Sequence, residues 1–182
     1  MRSDRLSRLG QRPIALAGFM GVGKSSVGRL VAAELGRCFV DTDEEAQSIA
    51  GRTIVDCFQT GDEALFREAE AVAVRRAVAS GAAVIALGGG AVLRNDSLTL
   101  LLDKTLLVYL HVPWSELQDW LPQMAATRPL LQGKTMPEIH RLYRSRLSTY
   151  RRSHLQVWVR RSSAEDAARR VLRALRLPAA AR

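Results

Sequence analysis

The chain has 182 residues, about the length of one domain, and a domain of this size can bury a continuous core without a disulfide or a structural metal. Its 27 Lys and Arg against 18 Asp and Glu give a formal net charge of +9, which suits anionic ligands, but the arginines are dispersed and argue against nucleic acid as a partner. Two cysteines without partner spacing, expected to be buried, and the lack of an apolar run long enough for a signal peptide or a membrane span predict a cytoplasmic protein without membrane contact.

Short apolar segments of strand length alternate along the chain with longer segments of helical period. The strand candidates lie at 14–17, 39–40, 84–87, 106–112 and 155–159, and the clearest helical segments lie at 27–35, 63–80 and 163–177. Short buried strands separated by helices predict a parallel sheet covered on both faces, because each crossover must bring the chain back to the same sheet. The fold class is therefore α/β, in one domain over 1–182 with a frayed tail at 179–182.

The first strand is followed by the P-loop pattern Gly18-x-x-x-x-Gly23-Lys24-Ser25, which leads into a helix. Glycines let such a loop wrap around a phosphate group, so that backbone N–H groups and the positive end of the helix bind the anion. In this interpretation Lys24 bridges the β- and γ-phosphates of a nucleotide and Ser25 binds Mg2+. A merely flexible glycine turn is the alternative. The predicted phosphate-binding set is Gly21, Val22, Gly23, Lys24, Ser25 and Ser26.

The second strand runs into Asp41-Thr42-Asp43, which places two carboxylates on one side of an extended backbone. At the carboxyl end of a strand beside a P-loop, both would face the crevice in which open α/β sheets bind ligands. One carboxylate could hold the water shell of a metal ion, and the other could accept a proton from a substrate hydroxyl. The pattern is weak by itself, and a helix cap is the alternative explanation.

Further along the chain, three patterns each allow a functional and a structural interpretation. Three consecutive glycines at 88–90 would let a ligand approach the backbone, or would form a tight turn. Arg67 and Glu70 are spaced for a surface ion pair on a helix. Arg146 and Tyr150 lie one helical turn apart, a spacing that packing alone explains.

The irregular segment at about 120–136 has prolines near both ends and the composition of a lid in a small kinase, although a plain surface loop explains it equally. It contains Arg128, which could close over a phosphate group or be solvated.

Seven motifs together resemble the shikimate kinase family in order and spacing, over about residues 12–177. They are Gly18-Phe-Met-Gly-Val-Gly-Lys-Ser, Val40-Asp-Thr-Asp, Gly51-Arg-Thr-Ile, Phe66-Arg-Glu-Ala-Glu, Leu87-Gly-Gly-Gly, Arg128-Pro-Leu-Leu and Arg146-x-x-x-Tyr150. The resemblance implies a P-loop NTPase fold of the nucleoside-monophosphate-kinase type, with a five-stranded parallel sheet in the order 2-3-1-4-5 and a mobile lid. It also implies ATP- and Mg2+-dependent phosphorylation of the 3-hydroxyl of shikimate, a step of aromatic amino acid biosynthesis.

The resemblance also implies a role for individual residues. Asp43 would hold the shikimate hydroxyls and help to accept the proton, while Asp41 would contact Mg2+ through water. Arg67 and Arg146 would bind the shikimate carboxylate, since arginine offers planar bidentate donors, and Glu70 would orient Arg67. The remaining implied contacts are Phe58, Gly89 and Gly90 on the substrate, and Arg128 with Lys24 on the transferring phosphoryl group.

One segment departs from the family. Shikimate kinases commonly carry an arginine that packs on adenine about seven residues before Arg-Pro-Leu-Leu, where this chain has Trp120-Leu121-Pro122-Gln123. Trp120 could stack on the base or pack the hinge of the lid.

Two other functions stay open: a kinase for another small metabolite such as gluconate, and a non-catalytic ligand-sensing domain. Two arginines beside Asp43 favour shikimate over gluconate, and the complete set of phosphate-binding residues favours an enzyme. The expected partners are ATP and shikimate, and we expect a monomer.

Overall fold

The computed structural model describes residues 12–81, 83–127, 129–159 and 163–176. Its strands are β1 (Ile14–Ala17), β2 (Phe39–Asp41), β3 (Val84–Ala86), β4 (Leu106–His111) and β5 (Leu155–Trp158). They form one parallel sheet in the order β2-β3-β1-β4-β5, which confirms the predicted α/β class and strand order. In the centre, Leu16 of β1 lies opposite Ala86 of β3 and Val108 of β4.

The composition of each strand follows its place in the sheet. Strands β1 and β3 are buried along their whole length, because central parallel strands are covered on both faces. The edge strand β5 alternates, with Val157 buried and Trp158 exposed, and the other edge strand, β2, is half-buried throughout. Strands β3, β4 and β5 each end one residue before the predicted end, and β2 ends one residue after it, at Asp41.

Helices flank the sheet, and short 3-10 helices form parts of the connections. The helices are α1 (Lys24–Leu35), α2 (Thr42–Ala50), α3 (Ile54–Gln59), α4 (Glu63–Ala79), α5 (Asn95–Lys104), α6 (Trp114–Leu117), α7 (Met136–Tyr150) and α8 (Ala164–Arg176). The 3-10 helices are Ala91–Leu93, Leu121–Thr127 and Pro129–Leu131. Within the described ranges, no helix is long and apolar enough to cross a membrane.

The sequence predicted no helix between β2 and α4, but this segment forms the two helices α2 and α3. Helix α3 begins with a capping box, in which Thr53 and Asp56 accept hydrogen bonds from each other's backbone N–H groups. A second box, formed by Thr135 and Glu138, starts α7 and ends the predicted lid segment at 120–136. The predicted frayed tail at 179–182 lies outside the described residues.

A small apolar cluster lies beside the main core, under α2, α3 and α4. Its buried members are Ala46, Cys57, Phe66, Ala69 and Ala73. It anchors the helices that carry the acidic and basic residues of the site described below. Cys57 is fully buried, but Cys38 is exposed in the connection between α1 and β2, so the expectation of two buried cysteines is wrong for Cys38.

Candidate active site

The P-loop connects β1 to α1 and has the backbone of an anion-binding loop. Gly21 and Gly23 have φ angles of 82° and 84°, which residues with a side chain rarely adopt. Gly23 is the N-cap of α1, and the first turn of this helix contains no acidic residue that would oppose an anion. Lys24 folds back over the loop, and its Nζ donates to the carbonyl oxygens of Gly18 at 2.9 Å and Phe19 at 3.0 Å.

The other predicted loop residues take different environments. Val22 is buried, and its side chain packs within the main core, so only its backbone can face a phosphate group. Ser26 is exposed in the first turn of α1.

Ser25 connects the P-loop to the end of β2. Its Oγ donates to Asp41 Oδ2 at 2.5 Å, and Asp41 Oδ1 accepts the backbone N–H of Asp43 at 3.0 Å. Asp41 is therefore the N-cap of α2, as the alternative explanation held, and it also places a carboxylate beside the P-loop hydroxyl. The two interpretations of Asp41 are compatible.

Asp43 is held close to the third strand by contacts that sequence reasoning missed. The hydroxyl of Thr42, a fully buried residue, accepts the backbone N–H of Gly88 at 2.8 Å. A Cβ atom at Gly88 would overlap Asp43 Oδ1 and lie 2.5 Å from Glu70 Oε1. Only glycine therefore lets these two carboxylates approach the end of β3.

Arg67 lies between two carboxylates of its own helix, α4. Its Nη1 donates to Glu70 Oε2 at 3.0 Å, and its Nη2 donates to Glu63 Oε1 at 3.1 Å. The side chain of Glu70 is only 6% exposed and that of Glu63 is 52% exposed, so the expectation of an ordinary surface ion pair is wrong for Arg67 and Glu70. Gly90 allows the close approach of Arg67, because a Cβ there would lie 2.6 Å from Nη1.

Burial of Glu70 raises the pKa of its carboxyl, although Arg67 acts in the opposite direction. Asp43 contributes to the raised pKa as a second negative charge nearby. Arg67 therefore helps to keep the buried carboxyl of Glu70 in its charged form.

Arg146 reaches the site from α7 and is only 4% exposed. Its Nη1 donates to the carbonyl oxygen of Gly89 at 3.1 Å, and the hydroxyl of Tyr150 donates to the same oxygen at 2.7 Å. The guanidinium carbon lies 5.7 Å from the centre of the Phe19 ring in the P-loop. Tyr150 also stacks on Tyr109 at 5.2 Å, so packing describes only part of its role.

A cavity of about 400 Å³ opens between these elements. Its lining residues are Glu63, Arg67, Glu70, Ala71, Gly90, Ala91, Leu93, Arg94, Ser97, Leu130 and Arg146. Both predicted arginines and one predicted glycine therefore face the same space. Phe58 is not among its lining residues, and its ring lies 5.4 Å from the guanidinium carbon of Arg67. Arg128 lies outside the described residues.

The start of the predicted lid lies on the P-loop. A Cβ atom at Gly21 would fall 3.3 Å from Trp120 Nε1 and 2.6 Å from Met124 Sδ. Trp120 and Met124 are partly buried and pack against the main core. Trp120 thus packs against the core, and the edge of its indole ring is turned towards the phosphate-binding loop.

The site as a whole combines an anion-binding loop, a cavity lined by two arginines and Glu70, and the carboxylate of Asp43. Asp43 is not among the lining residues of the cavity, but it lies beside Glu70 at the end of β3. The loop suits the phosphates of a nucleotide. The arginines suit a carboxylate or another planar anion, and Asp43 can accept a proton. Such an arrangement suits phosphoryl transfer to a small anionic alcohol.

Comparison with known proteins gives a consistent family. A sequence profile described as shikimate kinase matches residues 20–176. A shikimate kinase of Oceanobacillus iheyensis is 34% identical over 169 residues, which cover 93% of this chain and 92% of that protein. The structure of a shikimate kinase from Acinetobacter baumannii in complex with shikimate matches with a TM-score of 0.84 at 31% identity, covering 93% of this chain and 95% of the other. A gluconokinase of Sinorhizobium meliloti matches with a TM-score of 0.53 at 21% identity over 90% of this chain and 91% of the other, which shows a common fold alone.

Proposed function

The chain belongs to the shikimate kinase family, and on that premise we propose that it transfers the γ-phosphoryl group of ATP to the 3-hydroxyl of shikimate. The products are ADP and shikimate 3-phosphate, an intermediate of aromatic amino acid biosynthesis. The observation that carries this proposal is the convergence of Arg67 and Arg146 on one cavity, next to the carboxylate of Asp43.

The two arginines explain why shikimate suits the site as the phosphoryl acceptor. Shikimate has one carboxylate and three hydroxyl groups, so its binding needs fixed cationic donors at one end and hydrogen-bond acceptors at the other. Arg67 and Arg146 supply the donors, and Asp43, which lies beside Glu70 at the end of β3, supplies an acceptor. The backbone of Gly89 lies beside Arg146 and that of Gly90 beside Arg67, without side chains that would block the substrate.

Asp43 carries the proton step in this proposal. The 3-hydroxyl oxygen attacks the γ-phosphorus while the bond to the leaving ADP oxygen breaks, and the hydroxyl proton passes to the Asp43 carboxylate. Lys24 lies across the P-loop, where it stabilises negative charge on the transferring group. The remaining catalysis is positioning, since the hydrogen bond between Thr42 and Gly88 ties the end of β2 to the end of β3.

The loop and its neighbours fit Mg2+ and ATP. The left-handed glycines and the free helix N-terminus suit phosphate oxygens, and Ser25 with Asp41 offers the hard oxygen ligands that Mg2+ prefers. Among the described residues, no group of three or more His, Cys, Asp or Glu could hold a metal ion alone. This suits Mg2+, which keeps several waters and binds through one or two side chains plus substrate phosphates. Bound Mg2+ would supply charge neutralisation at the phosphates, and Arg128 is proposed to add to it.

A coupled assay of ADP release tests the proposal. With ATP and Mg2+ present, turnover should depend on shikimate, should be absent with gluconate, and should stop when EDTA removes the metal. Folded protein that shows no shikimate-dependent turnover would contradict the proposal and favour the ligand-sensing alternative. Turnover with gluconate would favour the other metabolite kinase.

We further propose that the protein works as a cytoplasmic monomer, with small molecules rather than nucleic acid as its partners. The dispersed arginines support the last point, because several of them are already paired on the surface, such as Arg29 with Glu44 and Arg94 with Glu68. Light scattering during size-exclusion chromatography would test the monomeric state.

A further inference from the structure

Trp120 is placed on the P-loop by the fold of its own segment. Its backbone N–H donates to Leu117 at the end of α6, and its backbone oxygen accepts from Gln123, which closes successive turns around it. These turns hold the indole against the P-loop, with Nε1 as the ring atom nearest to the position of a Gly21 Cβ, at 3.3 Å. Because Nε1 lies on the ring edge, the edge and its donor face the loop.

The indole N–H of Trp120 is buried and has no hydrogen-bond acceptor among the described residues. Buried donors in native proteins almost always have a partner, so such a donor requires an explanation. Its position at a left-handed glycine of an anion-binding loop offers one, since the missing acceptor would then belong to a ligand. The Met124 side chain, whose Sδ lies 2.6 Å from the same Gly21 Cβ position, has to move aside for that ligand.

The chemistry of the loop decides what kind of atom this ligand presents. Gly21 lies in the segment whose backbone N–H groups suit phosphate oxygens, and a further N–H donor at the same glycine suits the same kind of acceptor. Stacking on adenine, considered above for Trp120, would need the face of the ring rather than its edge.

We infer that the indole N–H of Trp120 donates a hydrogen bond to a phosphate oxygen of the nucleotide in the P-loop. This inference rests on the proposed function, because it assumes that the loop binds ATP. It makes Trp120 a direct contact of the nucleotide and couples the position of the segment that follows α6 to phosphate binding.

The test uses Trp120→Phe, which keeps an aromatic ring and removes the N–H group. Calorimetry should show that ADP binds about tenfold or more weakly, as expected for a lost hydrogen bond to a charged group. Binding of adenosine, which has no phosphate, should not change, and the KM for shikimate should stay the same. The matched control is Trp114→Phe, because Trp114 stacks on His140 of α7 at 4.4 Å, and this variant should bind ADP like the wild type.

A second measurement needs no substitution at Trp120. The chain contains three tryptophans, so the indole N–H signals can be assigned in ¹H–¹⁵N spectra with Trp114→Phe and Trp158→Phe. Addition of ADP should shift the Trp120 signal downfield, and adenosine should not.

The outcomes separate the two proposals. An equal loss of ADP and adenosine binding in Trp120→Phe, or no loss of either with an unmoved indole signal, would overturn the inference. Wild-type protein that binds ADP but does not turn over shikimate would contradict the proposed function and leave the contact intact. A wild-type protein that does not bind ADP would overturn both.

Discussion

The two halves of the site are built in different ways. The donor half, which would bind the phosphoryl donor, consists of the P-loop at residues 18–25 and Asp41 at the end of β2, and its binding groups are mostly backbone N–H groups of the loop. The acceptor half takes its charged groups from separate elements: Asp43 from α2, Arg67 and Glu70 from α4, and Arg146 from α7. One half depends on backbone dihedral angles, and the other depends on the packing of helices.

This difference determines how each half responds to a change. The backbone groups of the donor half stay in place when most single side chains are altered. In the acceptor half, buried charges balance one another, so removal of one group leaves its partner buried without compensation. We therefore expect single substitutions in the acceptor half to change the kinetics of one substrate selectively.

The largest effect is expected for Asp43→Asn, which keeps the shape of the side chain and removes the proton acceptor. The kcat should fall by about a hundredfold or more, the order expected for a positioned acid–base group, while ADP binding stays unchanged. The control is Asp103→Asn, whose carboxylate pairs with Lys104 at the end of α5. Unchanged turnover in Asp43→Asn would remove Asp43 from the proton step.

Arg146→Ala should have the next largest effect. Loss of two charge-assisted hydrogen bonds to a carboxylate predicts that the KM for shikimate rises about a hundredfold, while the KM for ATP changes little. Arg144→Ala, which removes an exposed arginine from the same helix, controls for the change in net charge. Arg146→Lys should be intermediate, because lysine keeps the charge and loses the bidentate geometry. Equal effects on both substrates would contradict the assignment of Arg146 to the acceptor half.

The same division explains how much of the molecule the sequence predicted. The parallel sheet and the P-loop are encoded locally, by buried strands and by Gly18-x-x-x-x-Gly23-Lys24-Ser25. The strand order was implied only by the resemblance. Helices α2 and α3 were missed because each fully buries only one apolar residue, Ala46 in α2 and Cys57 in α3, so their period is weak.

In the acceptor half, sequence reasoning found the charged residues but not the contacts that hold them. The hydrogen bond from Gly88 to Thr42 joins residues 46 positions apart, and that from Tyr150 to Gly89 joins residues 61 positions apart. Such contacts depend on strand order and helix packing, which short motifs do not encode. Glu63 was likewise missed as a partner of Arg67, although its spacing of four residues on a helix was a usable signal.

Tyr150→Phe should have a smaller effect of the same kind. It removes the hydroxyl that fixes the Gly89 carbonyl oxygen, to which Arg146 also donates, so the KM for shikimate should rise about threefold to tenfold. The matched control is Tyr143→Phe on the same helix, whose hydroxyl donates to the carbonyl oxygen of Val112 instead. Both variants should lose about 1 kcal/mol of folding free energy, and only Tyr150→Phe should change the KM. A rise in both variants would indicate general loosening of α7.

The smallest effect, in the opposite direction, is expected for Glu63→Gln. Arg67 already shares its single positive charge between Glu63 and Glu70, so an arriving substrate carboxylate is repelled by the exposed Glu63. Glutamine keeps an acceptor for Arg67 and removes the charge, which predicts an approximately twofold to fivefold lower KM for shikimate.

The matched control for this prediction is Asp166→Asn, because Asp166 is half exposed on α8 and pairs with Arg169, and neither residue lines the cavity. It changes the net charge equally, so a KM lowered to the same extent in both variants would indicate general attraction of the anion rather than competition at Arg67. A local effect should shrink at high salt, since Glu63 is half exposed and its charge is screened by ions. A higher KM in Glu63→Gln would mean that the charge of Glu63 positions Arg67 for the substrate, and the acceptor half would then need all of its carboxylates.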